Sequence, residues 1–258
     1  MIPLKIINFN HMNKYGLIGY PLAHSFSKKF FTEKFKAENS DELYENFEIN
    51  NITLINEIIK ANEELKGLNV TIPYKEQVIP FLDGLDAAAE KVGAVNTIKI
   101  IRKEDNISLT GYNTDIWGFE ISLTPLLKQH HTKALILGTG GASKAVKFVL
   151  NKLGIDFISA SIETLKEKEI SYEEIEKKIM SERLLIINAT PLGTYPNIEA
   201  YPPIPYECIT ERHLLFDLVY NPEETKFLLK GKEKGAIVKN GMEMLIQQAL
   251  KSYEIWNG

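Results

Sequence analysis

The sequence predicts an α/β fold divided into two domains. Short apolar runs alternate with longer amphipathic segments from Tyr15 to about Lys103, and the same alternation begins again at Lys133. In the second half a glycine-rich turn joins an apolar run to a helical pattern, as in a βα unit of a parallel sheet. The chain has 258 residues, which is enough for two modest domains.

The elements of the first half follow from apolar alternation and helical spacing. The predicted strands are YGLIGY (15–20), YENFEI (44–49), LNVTI (68–72), NTIKIIR (96–102) and ISLTGYN (107–113). The predicted helices cover 27–39, 53–62, a short stretch from Tyr74, and 87–91. A charged turn, KEDN, separates the last two strands. Thr114 or Asp115 is expected to cap the next helix, which runs to about Lys128.

The second half repeats the alternation without an internal repeat or a low-complexity tract. The predicted strands are KALILG (133–138), DFISAS (156–161), LLIINAT (184–190), LLFDLVY (214–220) and AIVKNG (236–241). The predicted helices follow the glycine turn up to about Gly154, cover 171–181, follow Pro222, and cover 242–256. This order of strands and helices predicts a parallel sheet with helices packed against it.

The turn after KALILG contains Gly138, Gly140 and Gly141, followed by Ala142. Between a buried strand and a helix start, glycines let the backbone approach a pyrophosphate, and the N–H groups of the helix N-terminus stabilise its charge. The spacing is G-x-G-G-A, so the dinucleotide interpretation depends on the neighbouring strand and helix more than on the pattern. A merely tight βα turn is the other interpretation.

The residues after the strand DFIS bear on which dinucleotide binds. An acid at this point typically binds the ribose diol of NAD, and the chain has Ala160, Ser161 and Ile162 there instead. The lack of an acid argues weakly against NAD. Four polar residues could receive the additional phosphate of NADP or could form a plain polar loop: Ser159, Ser161, Thr164 and Lys166.

The composition favours a small-molecule partner. The chain has 30 basic and 34 acidic residues and a net charge of -4, too small to attract nucleic acid or a membrane surface. No apolar run approaches the roughly 18 residues of a membrane span, so we expect a cytoplasmic protein. Cys208 is the only cysteine, which excludes an intrachain disulfide and a multi-cysteine metal site, and no metal is expected. Residues 1–11 precede Met12 and are interpreted as a tag or an upstream start.

Several polar residues lie in loops or at predicted strand ends: Ser25, Ser27, Asn69, Thr71, Lys75, Asn96 and Asp115. Each alone fits a structural role, such as Ser27 as a helix N-cap or Lys75 as a solvated charge. Together they predict a site, because ligands of α/β sheets bind at the carboxyl ends of the strands. Hydroxyls and amides hold a polyhydroxylated ligand, and a lysine near an aspartate can transfer a proton.

Eight motifs in order resemble those of the shikimate dehydrogenase family, which includes the quinate/shikimate enzymes. They are GLIGYPLAHSFS, GLNVTIPYKE, GAVNT, GYNTD, LGTGGASKA, INATPLG, DLVYNPEET and KNGMEMLIQQA. The resemblance implies reversible reduction of 3-dehydroshikimate to shikimate with NADPH, for chorismate biosynthesis. It also implies an N-terminal substrate domain with a mixed sheet (13–115 plus 241–258), a Rossmann-like doubly wound NADP-binding domain (116–240), and a cleft between them.

The same resemblance implies a role for each matching residue. Lys75 and Asp115 match the catalytic pair. The implied substrate-binding residues are Ser25, Ser27, Asn69, Thr71, Asn96, Tyr220 and Gln248. The implied cofactor-binding residues are Gly138, Thr139, Gly140, Gly141, Ala142, Lys144, Ser161, Thr190, Leu218 and Gly241.

The chain departs from the family pattern at two places. Ala160 stands where the family commonly has the arginine that binds the 2′-phosphate, which leaves NAD possible, although Lys144 in the glycine turn partly compensates. The segment HSFSKKFFT replaces a proline, a histidine and an asparagine of the family with Lys28, Phe31 and Thr32. We expect changed packing there and retained binding, because both serines remain.

Two alternatives stand beside the leading hypothesis. One is a quinate/shikimate dehydrogenase that uses NAD, since the same residues would hold either ring acid. The other is a non-catalytic protein that binds shikimate, which is disfavoured because Lys75 and Asp115 are both present. The expected assembly is a monomer or a homodimer.

Overall fold

A computed structural model describes residues 12–22, 25–104, 106–162 and 167–258. The expectations for 1–11, Thr164 and Lys166 lie outside these residues. The chain divides into two compact units. The first unit contains the chain up to Glu90, Val95–Tyr112 and Ile255–Gly258, and the second contains Lys91–Ala94 and Asn113–Glu254. The predicted substrate domain includes residues 241–258, whereas residues 241–254 group with the second unit here. The domain bounds given in the sequence analysis stay a prediction.

The first unit is built on a six-stranded mixed sheet. Its strands are β1 (Lys14–Gly19), β2 (Leu43–Glu48), β3 (Leu65–Val70), β4 (Gly84–Leu85), β5 (Thr97–Lys103) and β6 (Asn106–Tyr112). They lie in the order β2-β1-β3-β5-β6-β4. β1 pairs with β2 and β3 in parallel, whereas β5 is antiparallel to β3 and β6. The mixed sheet expected for the N-terminal half is therefore confirmed.

The helices of this region are α1 (Phe26–Ala37), α2 (Ile55–Ala61) and α3 (Ala87–Val92), with a 3-10 turn at Ile52–Leu54. Ser25 caps α1, and its side chain accepts from Lys28 N, so the expectation that Ser27 is the N-cap was wrong. Strand residues Ile18, Leu68 and Ile98 are fully buried in the core of the unit.

The short helix predicted from Tyr74 is absent, and that prediction was wrong. Residues 72–78 form successive turns that lead into a 3-10 helix at Ile79–Phe81. The carbonyl of Lys75 accepts from Val95 N at 2.7 Å, and the buried Tyr74 phenol donates to Ile49 O at 2.6 Å. These tertiary hydrogen bonds take the place of the backbone hydrogen bonds that an α-helix would form within this segment.

The second unit is built on a six-stranded parallel sheet. Its strands are β7 (Lys133–Leu137), β8 (Asp156–Ala160), β9 (Glu169–Ile170), β10 (Leu185–Asn188), β11 (Leu214–Asp217) and β12 (Ile237–Lys239). They lie in the order β12-β11-β10-β7-β8-β9. The strand order reverses between β7 and β10, as in doubly wound dinucleotide-binding folds. Residues of β7, β10 and β11 are almost all buried, as expected for parallel strands covered on both faces.

The helices of this region are α4 (Asp115–Leu123), α5 (Gly141–Lys152), α6 (Lys177–Glu182), α7 (Lys226–Glu233) and α8 (Met242–Asn257). α4 ends before the predicted Lys128, and the chain continues as a 3-10 helix over Thr124–Leu126. Pro125 in this segment has no N–H to donate to an α-helical hydrogen bond. The helix predicted over 171–181 is instead two short pieces, a capped 3-10 turn at Tyr172–Glu174 and α6. The two-residue β9 was not predicted. None of the described helices combines the length and apolarity of a membrane span.

Candidate functional site

The carboxyl end of β3 carries a buried amide, Asn69, whose side chain is hydrogen-bonded to residues of β2 and around the start of β5. Its Oδ1 accepts from the phenol of Tyr44 at 2.7 Å. Its Nδ2 donates to Asn96 O at 3.2 Å and to Thr97 Oγ1 at 3.3 Å. The structure therefore brings the predicted residue Asn69 against the start of β5.

Asn96 is also buried and lies directly before β5. Its backbone carbonyl accepts from Val70 N at 2.9 Å, and its backbone N–H donates to Tyr112 O at 3.0 Å. Its Oδ1 accepts from Thr97 Oγ1 at 3.1 Å. The two predicted amides, Asn69 and Asn96, are thus neighbours. Amides and hydroxyls at such a strand end suit the recognition of a polyhydroxylated ring.

The two predicted serines stand at the start of α1. The Ser25 hydroxyl oxygen accepts from Lys28 N at 3.2 Å. Ser27, one residue into the helix, is hydrogen-bonded to the Tyr44 phenol. Burial raises the pKa of Tyr44, and the bond from Ser27 acts in the opposite direction, so the phenol is neutral. Ser27 is therefore joined through Tyr44 to Asn69.

Thr71 and Lys75 follow β3 in the segment of turns. Thr71 N donates to Ile18 O at 2.9 Å, and Tyr74 N donates to Thr71 O at 2.9 Å. The Lys75 side chain is partly exposed. Its backbone is held by the hydrogen bond from Val95 N to Lys75 O and by the neighbouring Tyr74 phenol, which donates to Ile49 O. The structure thus gives Lys75 a defined backbone position in the same unit as Asn69 and Asn96.

Asp115 is the first residue of α4 and is buried. The neighbouring Thr114 donates to Gln248 Oε1 at 3.5 Å, and the Gln248 amide donates to Leu245 O at 2.9 Å. The second unit therefore places the predicted residue Gln248 against Thr114, the residue directly before Asp115. Asp115 and Lys75 belong to different units, so their pairing stays a prediction.

The glycine turn has the backbone that a phosphate requires. Gly138 has φ +99°, and a Cβ there would lie 2.8 Å from Thr190 Cγ2, so only glycine fits. At Gly140 and Gly141 a Cβ would meet nothing within 4 Å, and no side chain caps α5. The open N-terminus of this 12-residue helix fits a pyrophosphate. Thr139, Ala142 and Lys144 belong to the same turn and first helical turn.

A buried carboxyl organises the predicted nicotinamide region. Asp217 Oδ1 accepts from Val219 N at 3.0 Å and from Asn188 Nδ2 at 2.9 Å. Asp217 Oδ2 accepts from Thr225 Oγ1 at 2.5 Å. Burial raises the pKa of Asp217 to about 6, although these three donors act to lower it. We name these residues, together with Thr190, the Asp217 cluster.

Two predicted residues, Thr190 and Leu218, are held next to Asp217. Asn188 Oδ1 accepts from Thr190 N at 3.1 Å and from Thr190 Oγ1 at 2.6 Å. Leu218 directly follows Asp217, and a Cβ on Gly241 would lie 2.2 Å from Leu218 O, so glycine is required for this close approach. Tyr220 lies two residues further on, and burial raises its pKa, which keeps the phenol neutral and able to donate.

The predicted phosphate residues of β8 divide into two groups. Ser159 lies within β8 and its hydroxyl is fully buried, so it fits neither of the two interpretations, a phosphate ligand or a polar loop residue. Ala160 is likewise buried as the last residue of the strand. Ser161 Oγ lies 3.4 Å from Thr139 Oγ1, at the edge of the glycine turn, and Ile162 beyond it is 91% exposed. Within the described residues, Ser161 is therefore the predicted phosphate ligand of this strand end.

Known proteins resemble this chain over nearly its whole length. The family model of the shikimate dehydrogenase substrate binding domain matches residues 17–98. The NADP(+) shikimate dehydrogenase of Clostridium beijerinckii is 40% identical over 254 residues, covering 95% of this chain and 92% of that protein. The crystal structure of shikimate dehydrogenase 1 from Peptoclostridium difficile is 39% identical, with TM-score 0.81, covering 95% of this chain and 92% of that one. The chain belongs to the shikimate dehydrogenase family.

A further structure of the family contains both ligands. Shikimate 5-dehydrogenase from Thermus thermophilus, in complex with NADP(H) and shikimate, is 30% identical with TM-score 0.82 and covers 96% of this chain and 94% of its own. Membership in the shikimate dehydrogenase family confirms the predicted fold class, a mixed-sheet N-terminal part followed by a Rossmann-like part.

Four residues of the site region were missed by the sequence analysis: Tyr44, Thr97, Asn188 and Asp217. Three of them lie within motifs that resemble the shikimate dehydrogenase family, but their partners are far away in sequence. One signal could have identified Tyr44: it is a tyrosine in a predicted strand with a buried face. A buried phenol usually has a hydrogen-bond partner, so a polar partner for Tyr44 could have been expected. The partners themselves follow only from the sheet register.

Proposed function

We propose that this protein catalyses the reversible reduction of 3-dehydroshikimate to shikimate with NADPH; its relatives are named NADP(+) shikimate dehydrogenases. One observation carries the proposal. The amide and hydroxyl groups around Asn69 and Asn96 occupy a strand end of the part matched to a substrate-binding domain, and the same chain contains a doubly wound sheet with an open glycine turn. A ring acid and a dinucleotide are the ligands that suit these two features.

The first unit supplies most of the proposed substrate ligands. Ser25 and Ser27 would bind the carboxylate, because hydroxyls at a helix N-terminus favour an anion. Asn69, Thr71 and Asn96 would bind the ring hydroxyls. From the second unit, the neutral Tyr220 phenol would donate to the carboxylate and Gln248 would bind a hydroxyl.

NADP is the proposed cofactor, and it supplies and accepts the hydride when bound. The glycine turn from Gly138 to Ala142 would hold the pyrophosphate on the N-terminus of α5. Lys144 and Ser161 would serve the adenosine phosphate. Thr190, Leu218 and Gly241 would define the nicotinamide position, which the Asp217 cluster stabilises.

Lys75 and Asp115 are the proposed proton-transfer pair. When the carbonyl carbon of 3-dehydroshikimate is reduced, negative charge develops on its oxygen, and an ammonium group stabilises that charge and gives the proton. In the oxidation direction a neutral Lys75 would accept the hydroxyl proton. Asp115 would orient the lysine.

The proposal is tested by following reduced nicotinamide absorbance with four substrate and cofactor pairs. Shikimate and quinate are each combined with NADP and NAD, and kcat/KM is compared. We expect shikimate with NADP to give the highest value. An absence of turnover in all four pairs would contradict the proposed reaction.

A quinate/shikimate enzyme using NAD is the second candidate, and Ala160 favours it. That residue is the last of β8, and its methyl side chain carries no charge that could bind a 2′-phosphate. Equal or higher kcat/KM with NAD would establish this alternative. We further propose a cytoplasmic protein that is a monomer or a homodimer, which sedimentation measurements would distinguish.

A further inference from the structure

Five side chains of the first unit form one continuous series of hydrogen bonds, which we name the hydroxyl–amide chain. In order, its members are Ser27, Tyr44, Asn69, Thr97 and Asn96. All but Ser27 are buried. Three members, Ser27, Asn69 and Asn96, are proposed substrate ligands, and the two that connect them have no assigned role.

The hydroxyl hydrogens define the direction of this series. Tyr44 donates its one hydrogen to Asn69 Oδ1, so its oxygen accepts from Ser27. Thr97 donates its one hydrogen to Asn96 Oδ1, so its oxygen accepts from Asn69 Nδ2. An Asn69 amide turned by half a revolution would point its oxygen at the carbonyl of Asn96, where two acceptors repel. The partners therefore select one orientation of the amide.

We propose that Tyr44 and Thr97 are positioning residues of the substrate site, whose hydroxyls hold the Asn69 and Asn96 amides in the orientation that receives the ring hydroxyls. This inference rests on the proposed function, because the ring acid is the ligand assigned there to these amides. A side chain held in its binding orientation before the ligand arrives loses less conformational freedom on binding. Loss of either hydroxyl should therefore weaken binding of shikimate and leave binding of NADP unchanged.

The phenol oxygen of Tyr44 can be removed without removing its packing. The ring stacks on Phe31 with centroids 4.6 Å apart and an interplanar angle of 14°, contacts that phenylalanine would keep. Tyr15 offers a matched control in the neighbouring strand, since the two residues are partners in the register of β1 and β2. The Tyr15 phenol instead contacts Glu42 and Asn257, and its ring stacks on Trp256.

The experiment compares Tyr44→Phe with Tyr15→Phe, and Thr97→Val with Thr97→Ser, in the full chain. Calorimetry gives the Kd of shikimate without cofactor, steady-state assays give KM for shikimate and for NADP, and thermal unfolding gives Tm. We expect Tyr44→Phe and Thr97→Val to raise the shikimate Kd and KM about threefold to tenfold, the effect of one hydrogen bond. The NADP KM should stay within about twofold. Thr97→Ser should restore shikimate binding, because it restores the hydroxyl.

Two results would overturn the inference. One is an equal shikimate Kd in Tyr44→Phe and Tyr15→Phe at similar Tm, and the other is a parallel increase in the NADP KM. Binding and turnover separate this inference from the proposed function. If the native protein binds shikimate but does not oxidise it, the proposed reaction fails while the ratio of Kd values still tests Tyr44 and Thr97. If it does not bind shikimate, both fail.

Discussion

The hydroxyl–amide chain and the Asp217 cluster are both buried polar groups at strand ends, but only the second contains a carboxyl. Every member of the hydroxyl–amide chain is uncharged, whereas Asp217 is fully buried and has a pKa raised to about 6. Hydroxyl donors in both groups have a defined acceptor, Asn69 Oδ1 for Tyr44 and Asp217 Oδ2 for Thr225. The two groups therefore position neighbouring residues by the same means and differ in their response to pH.

The difference shows what a buried charge adds to a structural hydrogen-bond network. A neutral amide needs only its partners, because moving it from water involves no loss of ionic solvation. A carboxylate accepts more strongly from its donors but is costly to desolvate. The hydroxyl–amide chain should thus keep its hydrogen bonds over a wide pH range, and the stability of the Asp217 cluster should depend on pH.

The largest expected effect comes from Lys75→Ala, which changes a residue of the same unit that is not a member of the hydroxyl–amide chain. If Lys75 is the general acid and base, kcat should fall about 10²–10⁴-fold. Steady-state kinetics with shikimate and NADP measures this directly. A rise in KM at constant kcat would instead assign Lys75 to binding alone. Tyr15→Phe is the control for general damage to the unit.

Asp217→Ala should be the most destabilising change in either polar group. It leaves the Thr225 hydroxyl, the Val219 amide and the Asn188 amide without their acceptor, at about 1–3 kcal/mol each. The free energy of unfolding should fall by about 3 kcal/mol or more. Urea denaturation at pH 7 measures it. Tyr44→Phe, which removes one donor from the neutral group, should lose only about 1 kcal/mol, and equal losses would contradict the comparison.

Asp217→Asn should reveal the pH response of the charged group. Asparagine can accept from Val219 N and Asn188 at its oxygen and donate to Thr225 Oγ1 through its nitrogen. The folded pKa of about 6 exceeds the ordinary value of 3.8, so between these values the unfolded chain ionises first and the native protein loses stability as pH rises. The loss amounts to about 3 kcal/mol over that window.

Unfolding free energies of the native protein and Asp217→Asn, measured from pH 4 to pH 7, test this response. The native value should fall relative to the variant as pH rises toward 6 and then stay constant. Using the difference between the two proteins removes the contributions of all other titrating groups. A difference that does not change with pH would contradict the raised pKa.

The smallest expected effect concerns His213, a buried histidine of the second unit. Its Nδ1 accepts from Thr210 N at 3.0 Å, and its Nε2 donates to Met180 O at 3.0 Å. Burial lowers its pKa below the ordinary 6.5, so the native state favours the neutral ring. The stability that this ring provides is present above pH 6.5 and is lost as pH falls through its lower folded pKa.

Protonation of His213 removes the acceptor of Thr210 N, which costs about 1 kcal/mol. His213→Gln does not titrate, so the advantage of the native protein over this variant should shrink as pH falls from 7 to 5. Urea denaturation of both proteins at each pH measures the change. A constant advantage would exclude His213 as a source of acid sensitivity in the second unit.

The sequence predicted the fold best where periodicity and local chemistry agree. Alternation of strands and helices predicted both sheets, and the glycine turn predicted the start of α5. The prediction was wrong at Tyr74, because Lys75 O and the Tyr74 phenol bond to Val95 and Ile49 instead of forming a helix. Neither alternative given for Ser159, a phosphate ligand or a polar loop residue, fits its fully buried place in β8.

The sequence by itself determined the α/β class, the two series of elements, and the candidate residues that follow strands in recognisable motifs. These features depend on the spacing of apolar, glycine and polar residues along the chain, so no tertiary information was needed to predict them. Only the tertiary structure decided the partners, such as Tyr44 with Asn69 or Asn188 with Asp217, which are 25 and 29 residues apart. Strand register brings such residues together, and register depends on packing across the whole sheet rather than on any local pattern.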